Sequence, residues 1–319
     1  MEQKSRTFLG ILIVIAAAII WGSTGVAGEY LINQRGLSSA WITTYRTIFG
    51  GFFMLLYFSF KMKKEDFLSV WYNKKDAIQM LIFGMIGVAA CLYTYMLAVQ
   101  YTNAPTATTL QYLSPTMVVV YMAFRNKKFP SKQEIAGVIC ALGGVFAIST
   151  HGNLDSLAIS FMGLMIGLAA AFTLAFYGVY PKNLLSKYGS IYTYAWGEFI
   201  AGIMMNFLCP IWEFTLPHGG IDTPLMLVLA WQLIFGTMVS YPLYLYGVTM
   251  IGPAKASMLS SIEPVATAVL AAVILATPLI FMDYVGVLLI TLCIIILSIP
   301  AKKKPEPEIE LKQVQVQKV

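Results

Sequence analysis

The hydrophobic positions of this chain are gathered into long blocks, which short charged or turn-rich strings separate. Each block has about 20 residues, the helix length that crosses a hydrocarbon core of about 30 Å at about 1.5 Å per residue. The pattern therefore predicts an all-α membrane protein with ten transmembrane helices. The predicted spans are 8–28, 40–60, 77–97, 103–124, 133–150, 160–181, 191–212, 225–246, 252–275 and 279–299.

The amino-acid composition is also typical of a protein whose helices are surrounded by lipid. Hydrophobic residues make up 58% of the sequence and charged residues 11%, a balance that excludes an ordinary soluble domain of this length. The connections between the spans are too short to hold a separate soluble domain, so the function must reside in the helix bundle. The tail 301–319 is charged and contains proline, and we predict that it is disordered and cytoplasmic.

Lysine and arginine fall on one side of the predicted spans. They precede the first span and follow the second, fourth, sixth and tenth, whereas the opposite loops contain only Arg35. Because cytoplasmic loops keep an excess of these residues, we predict a cell-membrane protein with both termini in the cytoplasm and the loops around Asp155 and His218 outside. The net charge of +6 then reflects topology and lipid contact rather than nucleic-acid binding.

Residues typical of enzymes, metal sites and pumps do not form a recognisable pattern. The four cysteines lie inside predicted spans without metal-ligand spacing, which predicts neither a disulfide framework nor a metal site. Both histidines fall in predicted outer loops, no catalytic constellation lies at membrane depth, and no ATP-binding loop is present. We therefore expect no enzyme activity and no cofactor.

The two halves of the chain resemble each other. An offset of 153 residues aligns the first helix pair of each half, and an offset of 149 aligns the later helices, placing Tyr95 on Tyr244 and Pro115 on Pro264. Residues 1–150 and 151–300 thus form two five-helix repeats. Because five is odd, the second repeat enters the membrane from the opposite face, and such inverted repeats are typical of secondary transporters.

Several short motifs connect the chain with a known family. They are Trp21-Gly22-Ser23, Arg46, the stretch 95–101 with Ala104, Ser114-Pro115, Gly252-Pro253-Ala254 and Glu263-Pro264. With these motifs the sequence resembles the EamA-type members of the drug/metabolite transporter superfamily over nearly its whole length. The resemblance implies a fold of five plus five inverted helices. Its members export amino acids and other metabolites, and some import compounds such as choline.

Candidate substrate-binding residues lie at membrane depth. In the ninth span Ser260 and Glu263 share one helical face, and Gln111 lies at the repeat counterpart of Ser260. Deep aromatic residues could form walls for a ring or a quaternary ammonium, or could merely pack helices. The predicted binding residues are Trp21, Tyr95, Gln111, Trp196, Glu198, Tyr244, Ser260 and Glu263.

The two deep glutamates allow several roles. A charge at the bilayer centre costs about 2.5 to 3.5 kcal/mol, so Glu263 should not face lipid. It could bind substrate, carry a proton, or pair with Arg46, which could instead snorkel to the interface. Glu198 is not part of the family motifs and is a candidate for proton exchange, an ion pair or this member's own specificity. Lys255 is expected at the cytoplasmic mouth of the ninth span.

Pro115 and Pro264 are predicted to interrupt the fourth and ninth helices. Each removes a backbone hydrogen bond and crowds the carbonyl four residues earlier, at Gln111 and Ser260. Their repeat-equivalent positions suggest a gating role, and ordinary helix packing is the alternative.

Together these patterns predict a secondary transporter that works by alternating access. Its partners would be a small-molecule substrate, membrane lipids and, for coupling, protons; a homodimer is left open. Export of an amino acid or related metabolite is preferred. The alternatives are an importer of a polar or cationic metabolite such as choline, and a channel or receptor that transports nothing.

Overall fold

The computed structural model describes residues 2–127, 129–153, 158–252, 256 and 259–298. Within these ranges all regular secondary structure is helical. Three features predicted above lie outside the described residues: Asp155, Lys255 and the tail 301–319.

Among the described residues, helical segments occupy all ten predicted spans, which confirms the predicted fold class. They are α1 (Arg6–Gln34), α2 (Ser39–Lys61), α3 (Lys74–Tyr101), α4 (Ala104–Gln111 and Ser114–Asn126), α5 (Lys132–Thr150), α6 (Phe161–Val179), α7 (Ser190–Leu208), α8 (Thr223–Ile251), α9 (described mainly as Ile262–Ile274) and α10 (Phe281–Ser298). By length and composition α1, α3, α5, α6 and α8 could each cross a membrane. Short helices Lys64–Phe67, Ser69–Tyr72 and Lys182–Tyr188 lie in the connections.

Side-chain caps fix the starts of several helices. The Asn103 side chain accepts a hydrogen bond from the Thr106 N–H at the start of α4, where Pro105 occupies the first turn. Ser131 and Glu134 form a capping box at the start of α5. These side chains satisfy backbone N–H groups that have no partner within the helix, so short polar strings between apolar blocks define the helix ends.

The main contacts between helices follow the symmetry of the two halves: each has a counterpart made by the equivalent helices of the other half. Helix α1 packs on α8 and α9, and its counterpart α6 packs on α3 and α4; α2 packs on α7, and α5 on α10. The α2–α7 contact is reciprocal, because a Cβ added at Gly51 would meet the Phe199 backbone and one at Gly202 would meet the Ile48 backbone. Residue numbers rise along α2 as they fall along α7. Equivalent helices therefore run in opposite directions, as inverted repeats require.

The fourth and ninth helices are interrupted near their centres. Helix α4 stops after Gln111 and resumes at Ser114, and a turn at Ser261 precedes the described part of α9. Pro115 and Pro264 lie in the first turns of the resumed segments, where their missing N–H groups break no helical hydrogen bond. The interruptions are where the two prolines predict them, but the predicted loss of a helical hydrogen bond is wrong for this structure, because each proline begins a new segment instead of lying inside a continuous helix.

An ion pair joins the C-terminal end of α1 to the N-terminal end of α8. The Arg35 guanidinium donates to both carboxylate oxygens of Asp222, at 3.0 and 2.9 Å, and to the Gly220 carbonyl at 2.7 Å. The hydrogen bond from Arg35 lowers the pKa of Asp222 below its ordinary value. Arg35, which departs from the charge bias of the predicted outer loops, thus has a structural partner.

Glu29 makes a second connection near the same end of the bundle. Its carboxylate accepts from the Ala104 N–H and from the Thr277 hydroxyl, each at 2.8 Å. These bonds hold the end of the α-helical part of α1 against the start of α4 and the turn before α10. Since the side chain is buried and both oxygens accept hydrogen bonds, Glu29 acts as a structural carboxylate.

Candidate functional site

A central cavity of about 210 Å³ lies among eight helices, four from each half. Helices α5 and α10, which pack on each other, contribute none of its lining. The lining residues are Trp21, Thr24, Arg46, Val88, Cys91, Leu92, Tyr95, Gln111, Tyr112, Leu174, Tyr177, Tyr194, Glu198, Gly236, Tyr241 and Glu263. Both halves of the chain therefore contribute to one central cavity.

Most of the predicted binding residues meet at this cavity. Trp21, Tyr95, Gln111, Glu198 and Glu263 line it directly. Two further predicted residues lie just behind the wall: the Tyr244 ring packs on Trp21 at 5.2 Å, and the Ser260 carbonyl accepts a long hydrogen bond, 3.4 Å, from Tyr112.

Trp196 is the predicted binding residue that lies elsewhere. Its ring packs on Phe67 and Trp71 and borders a separate groove on the bundle surface. Residues on a helix are about 100° apart, so Trp196 lies on nearly the opposite face of α7 from Tyr194 and Glu198, which are four residues apart on one face. Depth in the membrane did not distinguish these two faces.

Glu198 is a buried carboxylate that faces the cavity. Its residue exposure is 0%, and neither oxygen has a hydrogen bond of normal geometry, although the Tyr194 hydroxyl lies close enough to interact with the carboxylate. The charge of Arg46 acts on it, but the two side chains do not form an ion pair within 4.0 Å. A buried carboxylate normally has hydrogen-bond partners, so a bound group or a proton is needed to satisfy this one.

Arg46 provides a fixed positive charge in the same cavity. Its guanidinium donates to the Gly236 carbonyl at 2.8 Å and to the Thr237 hydroxyl at 3.3 Å. The predicted alternatives, snorkelling to the interface or pairing with Glu263, are both wrong for this structure, because the side chain is buried against α8. Its acceptors lie in the π-helical stretch Ile234–Val239 of α8.

Glu263 is held at the junction of the two interrupted helices. The Tyr112 hydroxyl, at the break of α4, donates to the Glu263 carboxylate at 2.6 Å and lies 3.4 Å from the Ser260 carbonyl. Glu263 also lies in the first turn of the resumed α9 segment, where the helix dipole favours a negative charge. A single hydroxyl thus connects the carboxylate with the Ser260 carbonyl just before the break in α9.

Aromatic rings form much of the remaining wall. Tyr194 and Tyr241 are stacked with ring centroids 4.2 Å apart, and Tyr177 lies beside them in the lining. The Tyr95 hydroxyl shares a 2.9 Å hydrogen bond with Thr108. Such rings can pack on an apolar substrate side chain or attract a cation.

The repeat alignment also indicates lining residues that lie outside the predicted set of binding residues. At the offset of 153, Trp21 aligns with Leu174 and Thr24 with Tyr177. At the offset of 149, Leu92 aligns with Tyr241. All six residues line the cavity, so equivalent positions of the two halves face it from both sides.

Comparison with known proteins agrees with this architecture. The sequence model of the EamA-like transporter family matches residues 8–150 and again residues 161–299. An uncharacterized inner membrane transporter of Salmonella typhimurium, YicL, is 35% identical over 294 residues, covering 92% of this chain and 96% of that protein. An uncharacterized transporter of Bacillus subtilis, YetK, is 26% identical over 220 residues, covering 67% of this chain and 66% of that protein.

A solved structure shares the fold. A crystal structure with 15% sequence identity superposes with a TM-score of 0.61, covering 90% of this chain and 96% of that chain. Among the described residues no cluster of three or more histidine, cysteine or acidic side chains could hold a metal ion. The duplicated family match, the 35% identical relative and the two-half architecture together show that this chain belongs to the EamA-like transporter family.

Proposed function

We propose that this protein is a secondary transporter of the cytoplasmic membrane that exports amino acids or related small zwitterionic metabolites by alternating access. The observation that carries the proposal is the central cavity, in which four helices of each inverted half surround a fixed guanidinium and a buried carboxylate that lacks a hydrogen bond of normal geometry. Inverted halves around one site can exchange inward-open and outward-open arrangements of similar energy.

The charges in the cavity support a zwitterionic substrate. Arg46 and Glu198 have opposite charges and do not form an ion pair with each other. A substrate carboxylate could therefore pair with Arg46, and a substrate ammonium group with Glu198. A cavity of about 210 Å³ suits a small solute, one whose charged head group carries only a few further heavy atoms. The tyrosines of the wall would then contact the side chain of the substrate.

Glu263 supports proton coupling. A proton-coupled carrier needs a buried group that changes between charged and neutral forms during the cycle. The Tyr112 hydroxyl donates to the Glu263 carboxylate, and it would be free to turn towards the Ser260 carbonyl when Glu263 carries a proton. Protonation would in this way change the contact between α4 and α9.

The interrupted helices supply the points at which such a change could act. Pro115 and Pro264 begin the resumed segments of α4 and α9, and we propose that both breaks are hinges of the gating motion. The contacts of Arg35 and Glu29 near the outer end would have to open in the outward-facing state.

The direct test is substrate counterflow in proteoliposomes of the purified protein. We expect saturable exchange of a labelled amino acid, and we expect Glu198→Gln to raise the half-saturating concentration about ten-fold to a hundred-fold. This range follows from losing one buried, charge-assisted hydrogen bond of about 1.5 to 3 kcal/mol. The matched control is Glu213→Gln in an exposed connection, which should behave as wild type. Flux that never saturates would indicate a channel.

Import of a cationic metabolite is the second candidate. The two carboxylates outnumber the guanidinium in the cavity, and the stacked pair Tyr194–Tyr241 presents aromatic faces beside Glu198. A quaternary ammonium could use these features without Arg46. Counterflow of choline that survives Arg46→Gln, with no counterflow of amino acids, would favour this candidate.

The proposed orientation places both termini in the cytoplasm. In a variant without the four native cysteines, Thr215→Cys should react in intact cells with a membrane-impermeant maleimide. Ser186→Cys, in the short helix after α6, should react only after the membrane is permeabilised. The opposite labelling pattern would reverse the proposed topology.

A further inference from the structure

A second concave surface lies outside the central cavity, between α3 and α7 and the short helix Ser69–Tyr72. It is a groove of about 540 Å³. Its lining residues are Trp71, Leu81, Met85, Trp196, Phe199, Ile200, Ile203, Met204, Phe207 and Leu208. Several of them, including Met85, Ile203 and Phe207, are exposed on the side of the bundle. An exposed apolar groove along membrane-spanning helices faces lipid chains.

Two polar groups lie at one end of this apolar groove. The rings of Trp71 and Trp196 meet edge to face with centroids 5.1 Å apart. The indole N–H of Trp71 is buried and donates to no acceptor among the described residues, and the buried indole N–H of Trp196 has only a contact with the Tyr192 hydroxyl, without normal hydrogen-bond geometry. Because a buried N–H without an acceptor is costly, an oxygen-bearing ligand at this end would stabilise the pair.

Positive charge surrounds the same end of the groove. Lys74 and Lys75 are exposed at the start of α3, one turn after Trp71. Three further exposed lysines and two exposed carboxylates, Glu65 and Asp66, precede Ser69, so five lysines outnumber these two carboxylates. Asp76 does not offset Lys74, because it is paired with Lys187 and accepts a hydrogen bond from Tyr188. The mouth therefore matches a negatively charged head group.

We propose that this groove is a specific binding site for an anionic phospholipid of the leaflet on the lysine side. One acyl chain lies between α3 and α7, the Trp71 ring turns towards the lipid so that its indole N–H donates to an ester oxygen, and the phosphate contacts Lys74 and Lys75. From Trp196 to Leu208 the groove follows α7 for about 18 Å at about 1.5 Å per residue. One leaflet of the hydrocarbon core is about 15 Å deep.

A second copy of the chain is a less suitable occupant. A two-fold dimer through this face would bring two lysine-rich connections together on the same side of the membrane, and their like charges would repel. Anionic lipid supplies the opposite charge and an apolar chain in one molecule.

Native mass spectrometry of the purified full-length protein tests the lipid site. We expect phosphatidylglycerol to be retained more tightly than phosphatidylethanolamine. The double variant Lys74→Gln, Lys75→Gln should weaken phosphatidylglycerol binding by roughly five-fold for each lysine. The matched control is Lys127→Gln, Lys132→Gln, which removes the same charge between α4 and α5 and should retain the lipid as the wild type does.

A change in the groove itself separates a lipid site from a general effect of charge. Ile203→Trp, on the exposed face of α7, should fill the groove and reduce retention of phosphatidylglycerol without lowering Tm. Equal retention of the two lipids, or unchanged phosphatidylglycerol retention in both the lysine and the Ile203 variants, would overturn the proposal. So would efficient disulfide cross-linking between two copies of an Ile203→Cys variant in vesicles, because the groove would then be a dimer interface.

Discussion

Replacing Glu263 by glutamine is expected to reduce transport driven by a pH gradient at least ten-fold, while substrate counterflow continues. Glutamine keeps the size of the side chain and can still accept the hydrogen bond from Tyr112. It cannot take up or release a proton in the working pH range. Exchange needs only the conformational change of the loaded carrier, whereas net coupled transport needs the proton to bind and leave.

The same variant should remain folded. Had Glu263 paired with Arg46, its loss would have stranded a buried cation, at a cost of roughly 3 to 5 kcal/mol. Arg46 instead donates to Gly236 and Thr237, so only one hydrogen bond, about 1 kcal/mol, is at risk. Proteoliposome flux with and without a pH gradient, measured beside Tm, tests both expectations.

Tyr112→Phe is a useful companion to this variant. It removes the hydroxyl that connects Glu263 with the Ser260 carbonyl but keeps the ring and the titrating carboxyl group. If the hydroxyl transmits protonation to the break in α9, this variant should also lose coupling while keeping counterflow. Normal pH-driven transport by Glu263→Gln would remove this carboxyl from the coupling mechanism.

Gly202→Ala is expected to have the largest effect on stability, about 3 kcal/mol or a complete loss of folded protein. A Cβ at this position would lie 2.4 Å from the Ile48 Cα and 2.5 Å from its backbone nitrogen. A flexible side chain could move away, but the α2 backbone cannot do so without separating α2 from α7. Overpacking of a well-packed contact typically costs about 1 to 3 kcal/mol, and a backbone overlap should reach the upper end.

The chain contains a matched control for this substitution. Gly178 also lies in a long apolar helix, α6, and apart from its chain neighbours and the nearby backbone of this helix, a Cβ there would meet no atom within 4 Å. Gly178→Ala should therefore keep the Tm and the yield of the wild type in size-exclusion chromatography. Equal Tm values for the two alanine variants would show that α2 and α7 can separate at little cost, contrary to the expected packing.

The sequence by itself was enough to determine the fold class and the family. Apolar blocks gave the ten helices, because a segment in lipid must be both long and helical to satisfy its backbone. The internal offset indicated the inverted halves, and α2 and α7 pack in opposite directions as it requires. Motifs such as Glu263-Pro264 indicated the family that the duplicated sequence match confirms.

Only the tertiary structure decided which side of each helix faces the cavity. In a water-soluble helix the buried face is the apolar one, but in lipid both the outer and the packed faces are apolar, so polarity along α7 did not separate Trp196 from Glu198. The partner of Arg46 was equally undetermined, because Gly236 and Thr237 are distant in sequence and become its acceptors only when α2 packs on α8. Local patterns specify helices, whereas the contents of a shared cavity depend on how those helices rotate against one another.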